Sequence, residues 1–294
     1  MSHYSVKKGA FFMGFGLSNV VLVKSDKHGR MIPEALDAAI EESKKKGFTP
    51  LMVNGTSGTT VMGAYDPLNE IADVCERQGN IWLHVDACWG GAALLSLKLR
   101  HKMKGIERAD SIAWDPHKMA GAILQCAVLI TKHKDLLAEA HTAGARYLFQ
   151  QDKVYDCSYD TGDKSVQCGR KIDAFKLWLL WKAYGSSGMA ERIESCFDNA
   201  LYLRQLLTET PGFRLLFEEQ ECTNTCFWYI PPSMRGQVAP AIKGQMQVTG
   251  SMMIGYQPQG QFVNFFRMIV ASPMTTREDM QHVISTIQRH GQNL

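Results

Sequence analysis

The sequence has no apolar run near the roughly 18 residues that a membrane span requires, so it predicts no transmembrane helix and no membrane partner. It has little net charge. Thirty-two basic residues against 29 acidic ones leave +3, too small to argue for nucleic acid or an anionic surface as the main partner. It has no Cys-x-x-Cys pair. The eight cysteines stand at 75, 88, 126, 157, 168, 196, 222 and 226, and no histidine cluster accompanies Cys222 and Cys226, which argues against a zinc site. It has no internal repeats and no low-complexity tracts. Most cysteines lie in apolar strand-like or helix-like text, the pattern of buried reduced thiols in a cytoplasmic protein. Asn54-Gly55-Thr56 is a formal glycosylation sequon that such a protein would not use. Lys7 and Lys8 before the apolar Gly9–Leu17 imitate a leader. The stretch lacks a clear cleavage site and runs on into Asn19, so it reads as part of the fold.

What is present is ordinary globular text, 45% hydrophobic and 21% charged. At 294 residues the chain buries a sizeable core without disulfide or metal staples, and it allows about two domains. Val20–Val23 reads as a short strand. Pro33–Lys46 has helical spacing (Leu36, Ala39, Ile40) and stops at Gly47. Leu51–Val53 reads as a strand breaking into the turn-rich Asn54–Thr60. Asp66-Pro67 opens a helix with Leu68, Ile71, Ala72 and Cys75 on one face. Ile81–Val85, Ser111–Trp114 and Ile123–Thr131 read as further strands. The alternation predicts a mostly parallel sheet covered on both faces.

The character changes near residue 140. Residues 141–172 are polar and dotted with glycine, and a connection of that length is usually functional or mobile. Ala174–Ala183 is apolar nearly all round and predicts a buried helix. Ile193, Phe197, Leu201 and Leu207 outline a long amphipathic helix. Thr225–Ile230, Ser251–Tyr256 and Phe262–Val270 read as strands. Thr276–His290 closes the chain as a helix, with Thr276 and Asp279 forming a capping box. A boundary near Gly185–Gly188 divides a large domain, 1–186, from a smaller α+β domain, 187–294.

Two segments carry chemistry. Ile81-Trp82-Leu83-His84-Val85-Asp86 is an apolar strand ending in a carboxylate. Ser111-Ile112-Ala113-Trp114-Asp115-Pro116-His117-Lys118 is a strand running into a turn that ends in a lysine. Ligands of open α/β sheets bind at the carboxyl ends of strands, and these two ends lie about one βαβ unit apart. A lysine amine that forms a Schiff base, with a carboxylate that keeps a pyridine ring protonated, suits pyridoxal phosphate chemistry. For either residue alone, a solvated lysine or a helix-capping aspartate is the plainer explanation. The pair on this scaffold outweighs it.

Collinear blocks extend this reading: Ser2-His3-Tyr4-Ser5, Thr56–Thr60, His84-Val85-Asp86-Ala87, Pro116-His117-Lys118, Tyr147-Leu148-Phe149-Gln150, Ser158–Lys164, Phe227–Pro231 and Asn264-Phe265-Phe266-Arg267. In these the chain resembles the group II pyridoxal-phosphate decarboxylases, an aminotransferase-like α/β family of fold type I. It is most similar to the animal branch of cysteine sulfinate, glutamate and acidic amino acid decarboxylases. The resemblance implies pyridoxal 5'-phosphate as cofactor, α-decarboxylation of a small acidic amino acid and a homodimer in the full-length form.

It also implies roles. Lys118 is the Schiff-base lysine and Asp86 pairs with the pyridinium. His3 stacks on the ring, Thr60 lies near the ring substituents and His117 near the phosphate. Tyr155, on a mobile loop, returns a proton after carbon dioxide leaves. Arg267 binds the substrate carboxylate, and a lone cation in an apolar strand needs an anionic partner if buried; an internal salt bridge is the alternative. Ser57, Ala113 and Ser165 look more like cysteine sulfinate decarboxylase than glutamate decarboxylase, which favours cysteine sulfinate converted to hypotaurine, on the route to taurine. Aspartate and cysteate, or glutamate converted to γ-aminobutyrate, are the alternatives, as is an impaired fragment acting only as an interaction partner.

Three departures stand out. Cys88 replaces the usual Ala or Ser against the ring. Asp115 replaces Asn and would weaken phosphate binding if it faced that group. Arg235-Gly236-Gln237-Val238 joins blocks that relatives separate. The resemblance further implies that a long N-terminal region with a Gly/Ser-rich phosphate loop precedes the His3 block in relatives, so the chain is expected to be truncated at its front.

Overall fold

The computed structural model describes residues 2–294 except Arg146, Phe149, Gln151, Cys168, Arg170 and 234–236. Phe149 of the Tyr147–Gln150 block, Cys168 and the Arg235-Gly236 junction therefore lie outside the described residues.

The elements run as follows: α1 Ser5–Phe12, α2 Pro33–Lys45, β1 Met52–Thr56, α3 Leu68–Arg77, β2 Trp82–Asp86, β3 Ser111–Trp114, β4 Val128–Thr131, α4 Leu136–His141, α5 Asp173–Glu209, β5 Phe213–Leu215, β6 Asn224–Tyr229, α6 Val238–Thr249, β7 Gly255–Gln259, β8 Phe262–Ile269 and α7 Arg277–Gly291. They build two four-stranded sheets, ordered β1-β2-β3-β4 and β5-β6-β8-β7. In the first, β1, β2 and β3 are parallel and β4 runs antiparallel at the edge. The second is antiparallel throughout. The fold is α/β of the fold type I kind.

Period-two alternation sorts the first sheet. Val53, Leu83 and Val85 join α2 and α3 in one core through Leu36, Ile40, Leu68 and Ile71. The register puts Asn54, Thr56, His84, Asp86, Ser111 and Ala113 on the other face. Covering helices thus fill one face with apolar contacts, and the opposite face is polar. The second core forms where α6, α7 and the later part of α5 pack on the antiparallel sheet, around Leu203, Leu207, Phe227, Phe266, Met280 and Ile287. Met189, Ile193 and Phe197 of α5 belong to the first core, so that one helix serves both. Gly185 interrupts it with φ 65°, a conformation open to glycine.

Several expectations are corrected. Among the described residues Val20–Val23 forms no strand: Val21 and Leu22 are exposed, and the nearby pairing is an isolated bridge from Ser25 to Met31. β1 continues through Asn54–Thr56 because its backbone pairs with His84–Asp86; the turn begins only at Ser57. Ile123–Ala127 is irregular and strand begins at Val128. Ala174–Ala183 is helical but not buried: Phe175, Trp178 and Leu179 are each about half exposed, while Leu180 and Trp181, on the other side of these nearly three turns, pack against the first core. Leu201 points outward, and Ala200 and Leu203 take the inward positions. Ser251–Ile254 lies outside β7. The α7 capping box forms, with Thr276 Oγ1 accepting from the Asp279 N–H and Asp279 accepting from the Thr276 N–H at 2.8 Å.

Candidate active site

The candidate site sits at the carboxyl ends of β1, β2 and β3. Asp86 ends β2 and lies opposite Thr56 on one side and Ala113 on the other. Two turns close over these ends, backbone against backbone. The Ser57 carbonyl accepts from the Gly90 N–H at 3.0 Å, and the Ser57 N–H donates to the Asp86 carbonyl at 2.8 Å. A Cβ on Gly90 would stand 2.6 Å from that Ser57 carbonyl, so only glycine permits the approach.

Asp86 is half-buried, and its Oδ1 accepts the Cys88 N–H at 3.1 Å. Among the described residues it has no lysine or arginine partner. The carboxylate therefore keeps acceptor capacity for a ligand. Thr56 Oγ1 and Ser57 Oγ are buried beside it without hydrogen-bond partners, and so is Asn54 Oδ1 further back along β1. Buried polar atoms are nearly always satisfied, so such a cluster marks a place built for a further group.

Lys118 follows from a tight turn. Its N–H donates to the Asp115 carbonyl at 3.0 Å, and buried Pro116, Met119 and Ala120 anchor the backbone on both sides. The side chain reaches back, and Nζ lies 3.0 Å from Asp115 Oδ2. Asp115 thus faces the lysine. Cys88 links the two strand ends: burial pushes its thiol well up, Asp86 and Asp115 push it further, and Lys118 opposes them. The thiol stays protonated and unreactive at neutral pH. On the same face His84 Nδ1 and Ser111 Oγ are 2.8 Å apart, and burial pushes the His84 imidazole below its ordinary value, against the opposing pull of Asp86.

The other expected site residues are held as follows. The His117 ring is 2.5 Å from the Cys126 carbonyl through Nδ1, and with Asp115, Gln125 and Lys171 it lines an open cleft of about 480 Å³. Thr60 is exposed, and its carbonyl accepts from both Asn224 Nδ2 and Arg267 Nη1 at 3.0 Å. Arg267 is half-buried, has no carboxylate partner among the described residues, and its Nε is buried with no acceptor. The internal salt bridge considered for it does not form. Burial pushes its strand neighbour Cys226 up to about 12, with Arg267 opposing.

His3 and Tyr155 are not brought to the strand ends by any contact of their own. His3 Nδ1 is 2.8 Å from Ser5 Oγ and its ring is 4.2 Å from that of Tyr4; the segment touches the sheet where Asn54 Nδ2 donates to Ser2 Oγ at 3.3 Å. Tyr155 is about half exposed, and its ring lies 5.4 Å from Lys153 Nζ, which pairs with Asp160 at 2.6 Å. The orphaned hydroxyls of Thr56 and Ser57 were not singled out from sequence; Ser57 entered only as a substrate-like residue. The signal that finds them is burial at a strand end, which composition does not carry.

Comparisons with known proteins place the chain in a family. Residues 1–230 match the pyridoxal-dependent decarboxylase conserved domain. The acidic amino acid decarboxylase GADL1 of Xenopus tropicalis is 52% identical over 305 aligned positions, which take in 99% of this chain and 59% of that protein. The crystal structure of mouse CSAD superposes with a TM-score of 0.94 at 48% identity, over 100% of this chain and 63% of that one. Tryptophan decarboxylase of Catharanthus roseus, in complex with L-tryptophan, superposes with a TM-score of 0.87 at 26% identity, over 99% and 61%. The chain thus spans about three fifths of the length of the relatives it matches, and it belongs to the pyridoxal-dependent decarboxylase family.

Proposed function

We propose that this chain is a pyridoxal-phosphate-dependent carboxy-lyase acting on a small acidic amino acid, cysteine sulfinate first, with aspartate, cysteate and glutamate as the competing substrates. The observation that carries the reading is the pair at adjacent strand ends. Asp86 has a carboxylate with no lysine or arginine partner among the described residues, Lys118 has an amine within the same electrostatic neighbourhood, and the orphaned hydroxyls of Thr56 and Ser57 lie beside Asp86. These residues fit the cofactor: Lys118 and Asp86 would hold its aldehyde and its ring nitrogen, and His117 would lie toward its phosphate. When bound, pyridoxal phosphate supplies an aldehyde that condenses with amines and a ring that accepts the electrons left by carbon dioxide.

The chain's own residues do the rest. Asp86, half-buried and without a lysine or arginine partner among the described residues, would face the ring nitrogen and favour its protonated form. Lys118 would hold the cofactor's aldehyde and would yield that place to the substrate amine. Arg267, tied through Nη1 to the Thr60 carbonyl, would present the rest of its guanidinium to the substrate's acidic side chain or carboxylate. His3 would cover the ring, and Thr60, tied to Arg267 through its carbonyl, would flank it. Tyr155 would deliver the proton to the former α-carbon from its loop. With this reading go the division into a cofactor-binding part, 1–186, and a smaller part, 187–294, and a homodimer, supported by α1, which buries no residue and exposes Phe11, Phe12 and Met13. Seven free thiols among the described residues support a reducing compartment such as the cytoplasm.

Carbon dioxide release tests it. Cysteine sulfinate, aspartate, cysteate and glutamate are supplied in parallel with added pyridoxal phosphate. Release from cysteine sulfinate ahead of the others is expected, and Lys118→Ala abolishes it. Failure on all four sinks the acidic-substrate reading. A second reading, a chain that binds partners without turnover, is favoured by one observation, the Asp115 carboxylate already paired with the catalytic lysine.

A further inference from the structure

Lys118 has a partner of its own before any cofactor arrives. Asp115 Oδ2 lies 3.0 Å from Lys118 Nζ across a turn closed by the Lys118 N–H on the Asp115 carbonyl. The carboxylate is largely shielded and the lysine about one-third exposed, so the pair is screened less than a surface one. The neighbouring charges complete the setting. Asp86 at the end of β2 and the protonated Cys88 just beyond it act on this neighbourhood, and His117 and Lys171 line the cleft with Asp115. Asp173, paired with Lys176 at 3.3 Å, acts with Asp115 on Cys126 beside His117, whereas Asp86 has no lysine or arginine partner among the described residues.

We infer that Asp115 is a positioning residue for Lys118: its carboxylate holds the lysine ammonium at rest, and the cofactor's aldehyde must break that pair to be captured. The inference rests on the reading of Lys118 as the cofactor lysine. Capture is a condensation. The ammonium gives one proton to the buffer, the freed lone pair bonds to the aldehyde carbon, and the carbonyl oxygen leaves as water with the two remaining amine hydrogens. The contact between Nζ and Asp115 Oδ2 has to open before the amine can reach the aldehyde carbon, so Asp115 slows loading while it keeps Nζ tethered at the mouth of the site.

The test separates the pair from the cofactor. Cofactor-free chain is treated with trace acetic anhydride, and acetylation of Lys118 is read by mass spectrometry against exposed Lys134 in the same digest. Asp115→Asn, which keeps the shape and removes the charge, raises the Lys118 to Lys134 ratio about two- to fivefold, on the worth of a partly exposed ion pair. Asp115→Glu restores the wild-type ratio, which a merely structural role for the side chain would not predict. Raising salt to about 1 M lifts the wild-type ratio by screening the pair. An Asn ratio equal to wild type overturns the inference, and so does a salt-insensitive wild type if the Asn variant fails to fold. The same chains are then mixed with pyridoxal phosphate and quenched with borohydride. Faster label on Lys118 in Asp115→Asn, by a similar factor, supports the loading role, and equal rates overturn it. No label on Lys118 in any chain overturns the functional reading, while the acetylation ratios still decide whether the pair exists.

Discussion

Arg267 Nη1 donates to the Thr60 carbonyl at 3.0 Å, and this bond ties β8 of the antiparallel sheet to the loop that leaves β1 of the parallel one. Asn224 of β6 reinforces the tie by donating to the carbonyls of Thr60 and Val61. The candidate substrate-binding arginine is therefore fixed to the loop beside the candidate cofactor site, with its Nε still unspent. Replacing Arg267 by Gln removes the charge and keeps a polar group. The expected result is a raised KM for acidic substrates and a fall in kcat/KM of about 10- to 100-fold, the worth of a hydrogen bond to a charged group. Label captured by Lys118 stays unchanged. Steady-state kinetics across acidic substrates, with an unchanged KM as the contrary result, check this.

Tyr155 should separate cofactor binding from turnover. Tyr155→Phe keeps borohydride-fixed label on Lys118 and slows amine formation by about 10²- to 10⁴-fold, the range for a lost general acid. The Lys153–Asp160 ion pair and the contact of Lys153 with the Tyr155 ring do not need the hydroxyl, although the hydroxyl also hydrogen-bonds with Lys153 and Asp160. Full turnover in the Phe variant would remove Tyr155 from the mechanism.

His84 gives a pH signature. Burial beside Ser111 depresses its value below the ordinary 6.5. The unfolded chain binds a proton there before the folded one does. The stability that neutral His84 contributes is thus present above about pH 6.5 and is lost as pH falls toward the depressed value. Resonance titration of the His84 ring should give a midpoint below 6.5. A midpoint at or above it contradicts the burial argument.

Helix α5 yields a contrast within one element. Ile193 is fully buried in the first core, and Trp178, in the second turn of α5, is about half exposed. Ile193→Ala should cost about 2–5 kcal/mol, as a large-to-small change in a packed core does. Trp178→Ala should cost about 1 kcal/mol or less. Urea unfolding of the two variants checks the order, and a larger loss at Trp178 would contradict the burial described.

That contrast also marks where reading from sequence ran short. Periodicity located β2, β3, the α3 face and the α7 capping box, because each is a local pattern of spacing or capping. It placed Asp86 and Lys118 at neighbouring strand ends for the same reason. It overestimated burial at Ala174–Ala183, since an all-apolar helix reports affinity for a core and not the presence of one. It gave Val20–Val23 a strand because β-branched text does not reveal whether a pairing partner exists. The Thr60–Arg267 tie joins distant segments and leaves no pattern along the chain, and the Asp115–Lys118 spacing of three residues does not by itself say that the two side chains turn toward one another.

The central claim is that Lys118 captures pyridoxal phosphate with Asp86 in support, and reductive trapping tests it most directly. The chain is incubated with pyridoxal phosphate, reduced with borohydride, digested and mapped by mass spectrometry. The account predicts a phosphopyridoxyl group on Lys118, lost in Lys118→Ala and weakened in Asp86→Asn. Label confined to other lysines, or no label at all, would contradict it.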